Sequence, residues 1–164
     1  MTDAIIGQKR AAVACILRHG DRFLLLKRAK DPWSGKYIPI GGKVEPFEDP
    51  TTAALREVFE ETGIKLDAAR VQTLGILTET SPIKFNWINF IYTAEIDNVS
   101  PPECIEGEFV WIDRADIESI PMPATDKFFF KYLDAGAPFI LNAIYDSDLN
   151  LTSLTEEIKK EKLV

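Results

Sequence analysis

The stretch Gly42-Lys-Val-Glu45-Pro-Phe47-Glu48-Asp49-Pro50-Thr-Thr-Ala53-Ala54-Leu55-Arg56-Glu57-Val58-Phe59-Glu60-Glu61-Thr-Gly63-Ile64 decides how this chain is read. Its second half carries the two ends of a helix. Asp49 is a good N-cap, Pro50 suits the first helical position, and Gly63 suits a left-handed residue beyond the last turn. At 3.6 residues per turn, Leu55, Val58 and Phe59 share one side, which predicts their burial. Glu57, Glu60 and Glu61, spaced i, i+3, i+4, converge on the opposite side, with Ala53 and Ala54 one turn below them.

Three carboxylates on one helical face repel one another, and they stand near the C-terminal end, where the helix dipole disfavours negative charge. A divalent cation held by oxygen ligands removes both penalties. Mg²⁺ is the usual candidate, since it binds a few carboxylates together with waters and substrate phosphates. On charge spacing alone, a solvated acidic face and a cation site both remain open.

The same stretch matches the Nudix box, G-x5-E-x7-R-E-U-x-E-E-x-G-U with U apolar, at every specified position: Gly42, Glu48, Arg56, Glu57, Val58, Glu60, Glu61, Gly63 and Ile64. Fixed residue types at fixed spacing on a loop-helix-loop make a specific signal. The chain therefore resembles the Nudix hydrolases, and more particularly the 8-oxo-dGTP diphosphatases of the MutT type. The resemblance implies an α/β (α+β) fold, a mixed β-sheet sandwiched between α-helices, as a single domain over residues 1–164. It also implies a Mg²⁺-dependent enzyme, with Mn²⁺ as a substitute. Such an enzyme cleaves a nucleoside triphosphate, 8-oxo-dGTP or a related dNTP among them, to a monophosphate and pyrophosphate by metal-activated water. The alternatives are an ADP-ribose, sugar-nucleotide or dinucleotide pyrophosphatase, or a Nudix-fold nucleotide sensor without turnover.

Carried over residue by residue, the resemblance makes Glu57, Glu60 and Glu61 metal ligands, Glu61 the most direct, with the Gly41 carbonyl as a further one. The base is assigned to Glu57 or Glu106; crowded glutamates have raised pKa values before a metal binds, which suits one of them to accept a proton. Arg56 pairs with Glu48 or Glu60 and holds the loop against the helix. Arg28 and Lys43 are candidate phosphate contacts, and Asp126 a candidate contact to the base edge. Two departures from the MutT pattern stand out. A Trp-Pro-Asp-Asp run is replaced by Pro123-Ala-Thr-Asp126, and Ile38 occupies the position of an Asn that reads the purine edge.

Bulk properties agree. A chain of 164 residues with 46% apolar and 27% charged residues is ordinary for one globular domain. No run approaches the ~20 apolar residues of a membrane span. The first ten residues lack a signal peptide's apolar core. Cys15 and Cys104 are too few for a disulfide framework, which suits a reducing cytoplasm. The net charge of −7 argues against duplex nucleic acid as partner. It does not argue against a small nucleotide held through cations by a monomer or homodimer.

Along the chain, residues 10–18 and 22–27 are expected to form a hairpin around His19-Gly20-Asp21, with Lys27 and Arg28 near the acidic helix. Gly41 and Gly42 are expected to admit close approach of a bound ion. Strands are expected over 71–80, 85–96 and 109–112. The segment 99–108 is expected to be a loop carrying three acids, and the resemblance implies that one of them completes the site: Glu106 is the choice, with Glu103 and Glu108 as alternatives. Asp113 is expected to cap a helical turn, and Thr125 a helix ending at Gly136. A final hairpin over 138–155 follows, then a frayed, charged end over 156–164.

Overall fold

The computed structural model describes residues 5–83 and 85–164. Residues 1–4 and Lys84 lie outside it, and with them part of the run read above for a signal peptide.

Strand β1 (Arg10–His19) turns at Gly20-Asp21 into β2 (Arg22–Arg28), pairing Leu17 with Leu24. Two short strands follow: β3 (Tyr37–Ile38) pairs with β2, and β4 (Ile40–Lys43) pairs with β1. Helix α1 (Pro50–Thr62) comes next, then β5 (Val71–Thr80), β6 (Trp87–Glu95), β7 (Glu103–Cys104) and β8 (Gly107–Asp113). Helix α2 (Asp126–Ala135) and strands β9 (Phe139–Tyr145), β10 (Leu151–Glu156) and β11 (Glu161–Lys162) complete the chain. The strands join in one sheet of order β11-β10-β9-β5-β6-β1-β2-β8-β7. The pairs β1–β6 and β5–β9 are parallel and the others antiparallel, so the sheet is mixed as expected.

Alternation along the central strands builds two cores. From β1, Val13, Cys15 and Leu17 pack with Ala53, Ala54 and Val58 of α1, while Ile16 faces Phe129 and Phe130 of α2. From β2, Leu24 and Leu26 join the α1 side, and Phe23 and Leu25 the α2 side, where Phe23 meets Phe130 edge-on at 4.9 Å. The sheet is thus sandwiched between helices. Cys15 is plain core, and burial pushes its thiol up to about 12.

The α1 caps are as the sequence predicts. The Asp49 side chain accepts from the Thr52 amide, Pro50 opens the helix, and Gly63 has φ 73°. The buried side is not the expected one. Phe59 is exposed, Leu55 only half-buried, and Ala53, Ala54 and Val58 carry the packing. Small residues bring α1 close to β1 and β4, and this turns Glu57 and Glu61, in line with Ala53, toward the protein rather than toward water. The expected loop at 99–108 contains a tight hairpin, with Glu103 opposite Glu108 and Ile105-Glu106 at its tip. Neither expected cap side chain is used. Asp113 precedes only a 3-10 turn, without capping it, and Thr125 donates to Asp126 Oδ1 instead. The end is not frayed. β11 pairs with β10, Leu163 packs on the α2-side core, and Glu156 is buried, accepting from the amides of Ile140, Ile158 and Lys159.

Candidate active site

Arg56 organises the loop before α1. Its Nε and Nη2 donate to the two oxygens of Glu48 at 2.8 and 2.9 Å, and Nη2 also donates to the Lys43 carbonyl at 3.0 Å. Its Nη1 donates to Glu57 at 2.9 Å and to Glu60 at 3.2 Å. The planar guanidinium is suited to this fork, and a lysine cannot reproduce it. The Arg56 hydrogen bonds hold the Glu48 carboxyl below the usual carboxylate range, and Glu48 in turn accepts from the Glu45 amide. Arg56 thus ties the loop to the helix through Glu48 and the Lys43 carbonyl, and pairs with Glu60 within the helix.

Glycine is required at two places for reasons internal to the protein. A Cβ on Gly41 would overlap the Val13 carbonyl of β1, and one on Gly42 would overlap the Glu57 carboxylate. Close packing of β1, β4 and α1 explains both, where the sequence pointed only to a bound ion.

The three box glutamates do not share one environment. Glu60 is exposed and turned to Arg56, while Glu57 is half-buried against Gly42. Glu61 is also half-buried, and its Oε2 is enclosed without a hydrogen-bond partner. Burial pushes the Glu61 carboxyl up to about 8, aided by repulsion from Glu57 and Glu106 and partly opposed by Arg28. Because Arg56 draws Glu57 and Glu60 to itself, no three acidic, histidine or cysteine side chains among the described residues stand close enough to hold an ion unaided. The expected convergence of all three acids is therefore not seen. The chemistry still fits a hard cation, since an enclosed, unpartnered carboxylate oxygen lies beside a second carboxylate in a glycine cradle.

Arg28 and Glu106 face this group across the strand ends. Arg28 Nη1 stands 3.3 Å from Glu106 Oε2, and both act electrostatically on Glu61. The other two hairpin acids, Glu103 and Glu108, oppose each other across β7 and β8. Of the cations expected here, Lys27 is exposed and its ammonium lies 5.8 Å from the Tyr37 ring centroid.

From Gly41, Gly42 and Lys43 a cleft of about 340 Å³ runs along the sheet. Trp33, Phe85 and Trp87 line it, with Arg28, Ile38 and Pro39, while Glu79, Asn89 and Asp126 are its acidic and amide side chains. The Trp33 indole meets Phe85 edge-on at 6.1 Å and lies under Lys36 at 4.7 Å. Its backbone takes φ 72°, a conformation that costs a bulky residue on the order of 1 kcal/mol. Glu79 is buried, accepting from Asn89 Nδ2 and the Tyr145 hydroxyl, each at 2.9 Å, and burial raises its carboxyl. Burial likewise raises Asp126 to about 7, with repulsion from Glu79 adding to it.

Arg28, Lys43 and Asp126 therefore all line one cleft, beside the Gly41–Glu57 group. Glu79, Asn89 and the aromatics Trp33, Phe85 and Trp87 were not singled out in the sequence. Phe85, Trp87 and Asn89 were signalled only by the aromatic richness of the 85–96 strand, and Trp33 and Glu79 not at all, because tertiary pairing rather than spacing brings them together.

An open cleft beside a glutamate-rich helix, on a mixed sheet between two helices, is the arrangement expected of the family that the sequence resembles. Comparison with known proteins agrees. Residues 8–133 match the NUDIX domain. The uncharacterized Nudix hydrolase YvcI of Bacillus subtilis is 31% identical over 129 residues, covering 74% of this chain and 77% of that protein. Diphosphoinositol polyphosphate phosphohydrolase 3-alpha of Mus musculus is 36% identical over 88 residues, and the match spans only 51% of that protein. Among solved structures, the mutator MutT protein from Bacillus halodurans superposes with a TM-score of 0.76 at 26% identity, covering 91% of this chain and 98% of that one. The NUDIX domain of Shewanella oneidensis NrtR, solved with ADP ribose, shares the fold at a TM-score of 0.66 and 17% identity. The chain belongs to the Nudix family, as a hydrolase acting on phosphorus-containing anhydrides.

Proposed function

We propose that the chain is a Mg²⁺-dependent nucleoside triphosphate pyrophosphohydrolase that releases a monophosphate and pyrophosphate. The observation carrying this is the cleft itself. Trp33, Phe85 and Trp87 line it together with Arg28 and Lys43, and Gly42 in the same lining abuts the Glu57 carboxylate of α1. Relatives named as diphosphoinositol polyphosphate phosphohydrolases act on a ring crowded with phosphates, which calls for a cationic lining. Here Arg28 and Lys43 are the cationic side chains of the lining, and Glu79 and Asp126 stand where such a ring would need further cations.

In this reading Glu61, whose Oε2 is enclosed without a partner, would hold the cation most directly, and Glu57, Glu60 and the Gly41 carbonyl would complete the set directly or through water. When bound, Mg²⁺ neutralises charge on the phosphate oxygens. Arg28 and Lys43 hold the polyphosphate, and Arg56 fixes Glu57 and Glu60 in orientation. Water oxygen adds to the phosphorus of the anhydride link, the bridging oxygen departs with the leaving phosphate, and the water's proton passes to Glu57 or Glu106. Such placement of a base typically contributes ~10²–10⁴-fold.

Product analysis by chromatography with Mg²⁺ tests this across canonical dNTPs, 8-oxo-dGTP, ADP-ribose and a diphosphoinositol polyphosphate. Triphosphate turnover to monophosphate and pyrophosphate, lost in Glu61→Gln, is expected. Turnover of ADP-ribose alone, or of the inositol compound alone, overturns the proposal. Nucleotide binding without any hydrolysis would mark a sensor.

A further inference from the structure

Strand β9 is internal to the sheet, paired with β10 on one side and β5 on the other, yet only one of its faces is packed. Phe139, Leu141, Ala143 and Tyr145 are buried toward α2, while Ile140 and Ile144 on the opposite face are 39% and 43% exposed. Strand register carries that opposite face across the neighbouring strands. One row runs Phe90-Ile76-Ile140 from β6 through β5 to β9. The next runs Ile88-Thr78-Asn142-Thr155 as far as β10, and a third runs Thr80-Ile144-Ser153. Phe90 reaches the core beside α1, but Ile76 and Ile88 pack into neither core. Helix α1 lies chiefly over β1 and β4, so among the described residues no helix covers these rows. A contiguous apolar face marks an interaction surface, where isolated exposed side chains do not.

The polar side chains in the middle of the face are matched within it. The Thr78 hydroxyl donates to Asn142 Oδ1 at 2.7 Å, Asn142 Nδ2 donates to Glu157 Oε1 at 2.9 Å, and Lys9 Nζ donates to Thr80 Oγ1 at 2.7 Å. Removing water therefore leaves the Thr78 hydroxyl and the Asn142 amide hydrogen-bonded. The rows carry no charged side chain, so they offer nothing to a partner recognised by charge, and they are where two copies of a chain of net charge −7 can approach. Charges at the rim differ in sign at opposite corners. Lys9 stands beside Thr80, while Glu157 stands opposite Ile140 beyond β10, with Lys160 on its outer side. A two-fold axis lying in the contact along the other diagonal brings these corners together, with the two sets of strands crossing near a right angle.

We propose that the face of β6, β5, β9 and β10 turned away from α2 docks the same face of a second copy of this chain, with Lys9 of each copy set against the partner's Glu157. This goes beyond the reading of the cleft and does not rest on it. The cleft lies on the other side of β5 and β6, lined there by Leu77, Glu79, Trp87, Asn89 and Ile91, so it stays open in the pair. Four strands ~4.8 Å apart and about six residues of ~3.3 Å each project roughly 400 Å² per copy. That is the low end of specific contacts, so dissociation is expected at about 10–100 µM.

Sedimentation velocity on the full chain from ~5 to ~500 µM, without substrate, spans that range. A monomer at the lowest concentration and a dimer at the highest are expected. Ile140→Glu and Ile144→Glu each set a carboxylate in the apolar rows. Both positions are exposed in a single copy, so each variant should keep its fold by circular dichroism and its Tm in dilute solution, and stay monomeric at the highest concentration. Lys9→Glu sets acid against acid at both corners and should weaken the dimer about 5-fold. A wild type that stays monomeric throughout overturns the inference, and this arm stands even if a variant misfolds. So does a dimer that survives Ile140→Glu and Ile144→Glu, or one that Lys9→Glu leaves equally tight. With no substrate present, these outcomes are independent of what the cleft hydrolyses.

Discussion

Replacing Glu61 by Gln separates what this helix does for stability from what it does for chemistry. In the metal-free protein the Glu61 carboxyl is raised from 4.5 to about 8, first by burial and then by Glu57 and Glu106. A tenfold change in proton affinity is worth about 1.4 kcal/mol, so the ceiling on this penalty is roughly 5 kcal/mol. Solvent reaching the half-exposed site reduces the expected effect to about 1–2 kcal/mol. The sign follows from linkage. A carboxyl raised in the folded state binds its proton more tightly there, so its contribution is fully present below pH 4.5 and is lost as pH rises through about 8. Gln carries no such penalty. Thermal melts in EDTA should show the two proteins alike at pH 4.5 and Glu61→Gln more stable by about 2–8 °C at pH 9. Added Mg²⁺ should raise the wild-type Tm and close or reverse the gap, while the variant loses turnover. A variant no more stable than wild type at pH 9 would refute the premise that Glu61 is held in the fold against its own charge.

Four further outcomes follow from the geometry. Gly42→Ala sets a methyl against the Glu57 carboxylate and should lower kcat about 10²-fold, with far-UV circular dichroism unchanged. Arg56→Lys loses the fork to Glu48, Glu57 and the Lys43 carbonyl, so both Tm and kcat should fall, and the Tm deficit should persist in EDTA. Phe130→Ala empties a fully buried site between α2 and Phe23 and should cost about 3–5 kcal/mol in urea unfolding. Removing residues 161–164 takes away β11 and the contacts of Leu163 and Val164 with Leu154, and should lower Tm measurably; an unchanged Tm would restore the frayed-end expectation.

Much of the fold is legible locally. The turn at Gly20-Asp21, the Asp49 and Pro50 start of α1 and its Gly63 stop act over a few residues, and each is found where the sequence puts it. The errors share one cause. Phe59 was expected inside and Glu57 and Glu61 outside, because polarity alone ranks the faces of an isolated helix. Small Ala53 and Ala54 against β1 and β4 set the packing face instead, and the acids are carried inward with it. The charged tail reads as disordered until β10 is present to pair with it. Its composition holds no sign that the Glu156 carboxylate will cap three amides.

The sequence by itself determined the family, the helix that bears the glutamates and the arginine that orders them, because these lie within 23 consecutive residues and interact at helical spacing. Only the tertiary structure decided where a substrate's ring can lie. Trp33, Glu79, Asn89 and Asp126 come from a loop, two adjacent strands and a distant helix start, and they become neighbours through the parallel and antiparallel pairings of β5, β6 and β9. Which hydrogen-bonding groups remain open there depends on which partners have already engaged Asn89, Tyr145 and Thr125. Glu79, which engages both Asn89 and Tyr145, lies ten and 66 residues from them in the chain, and no local pattern encodes that meeting.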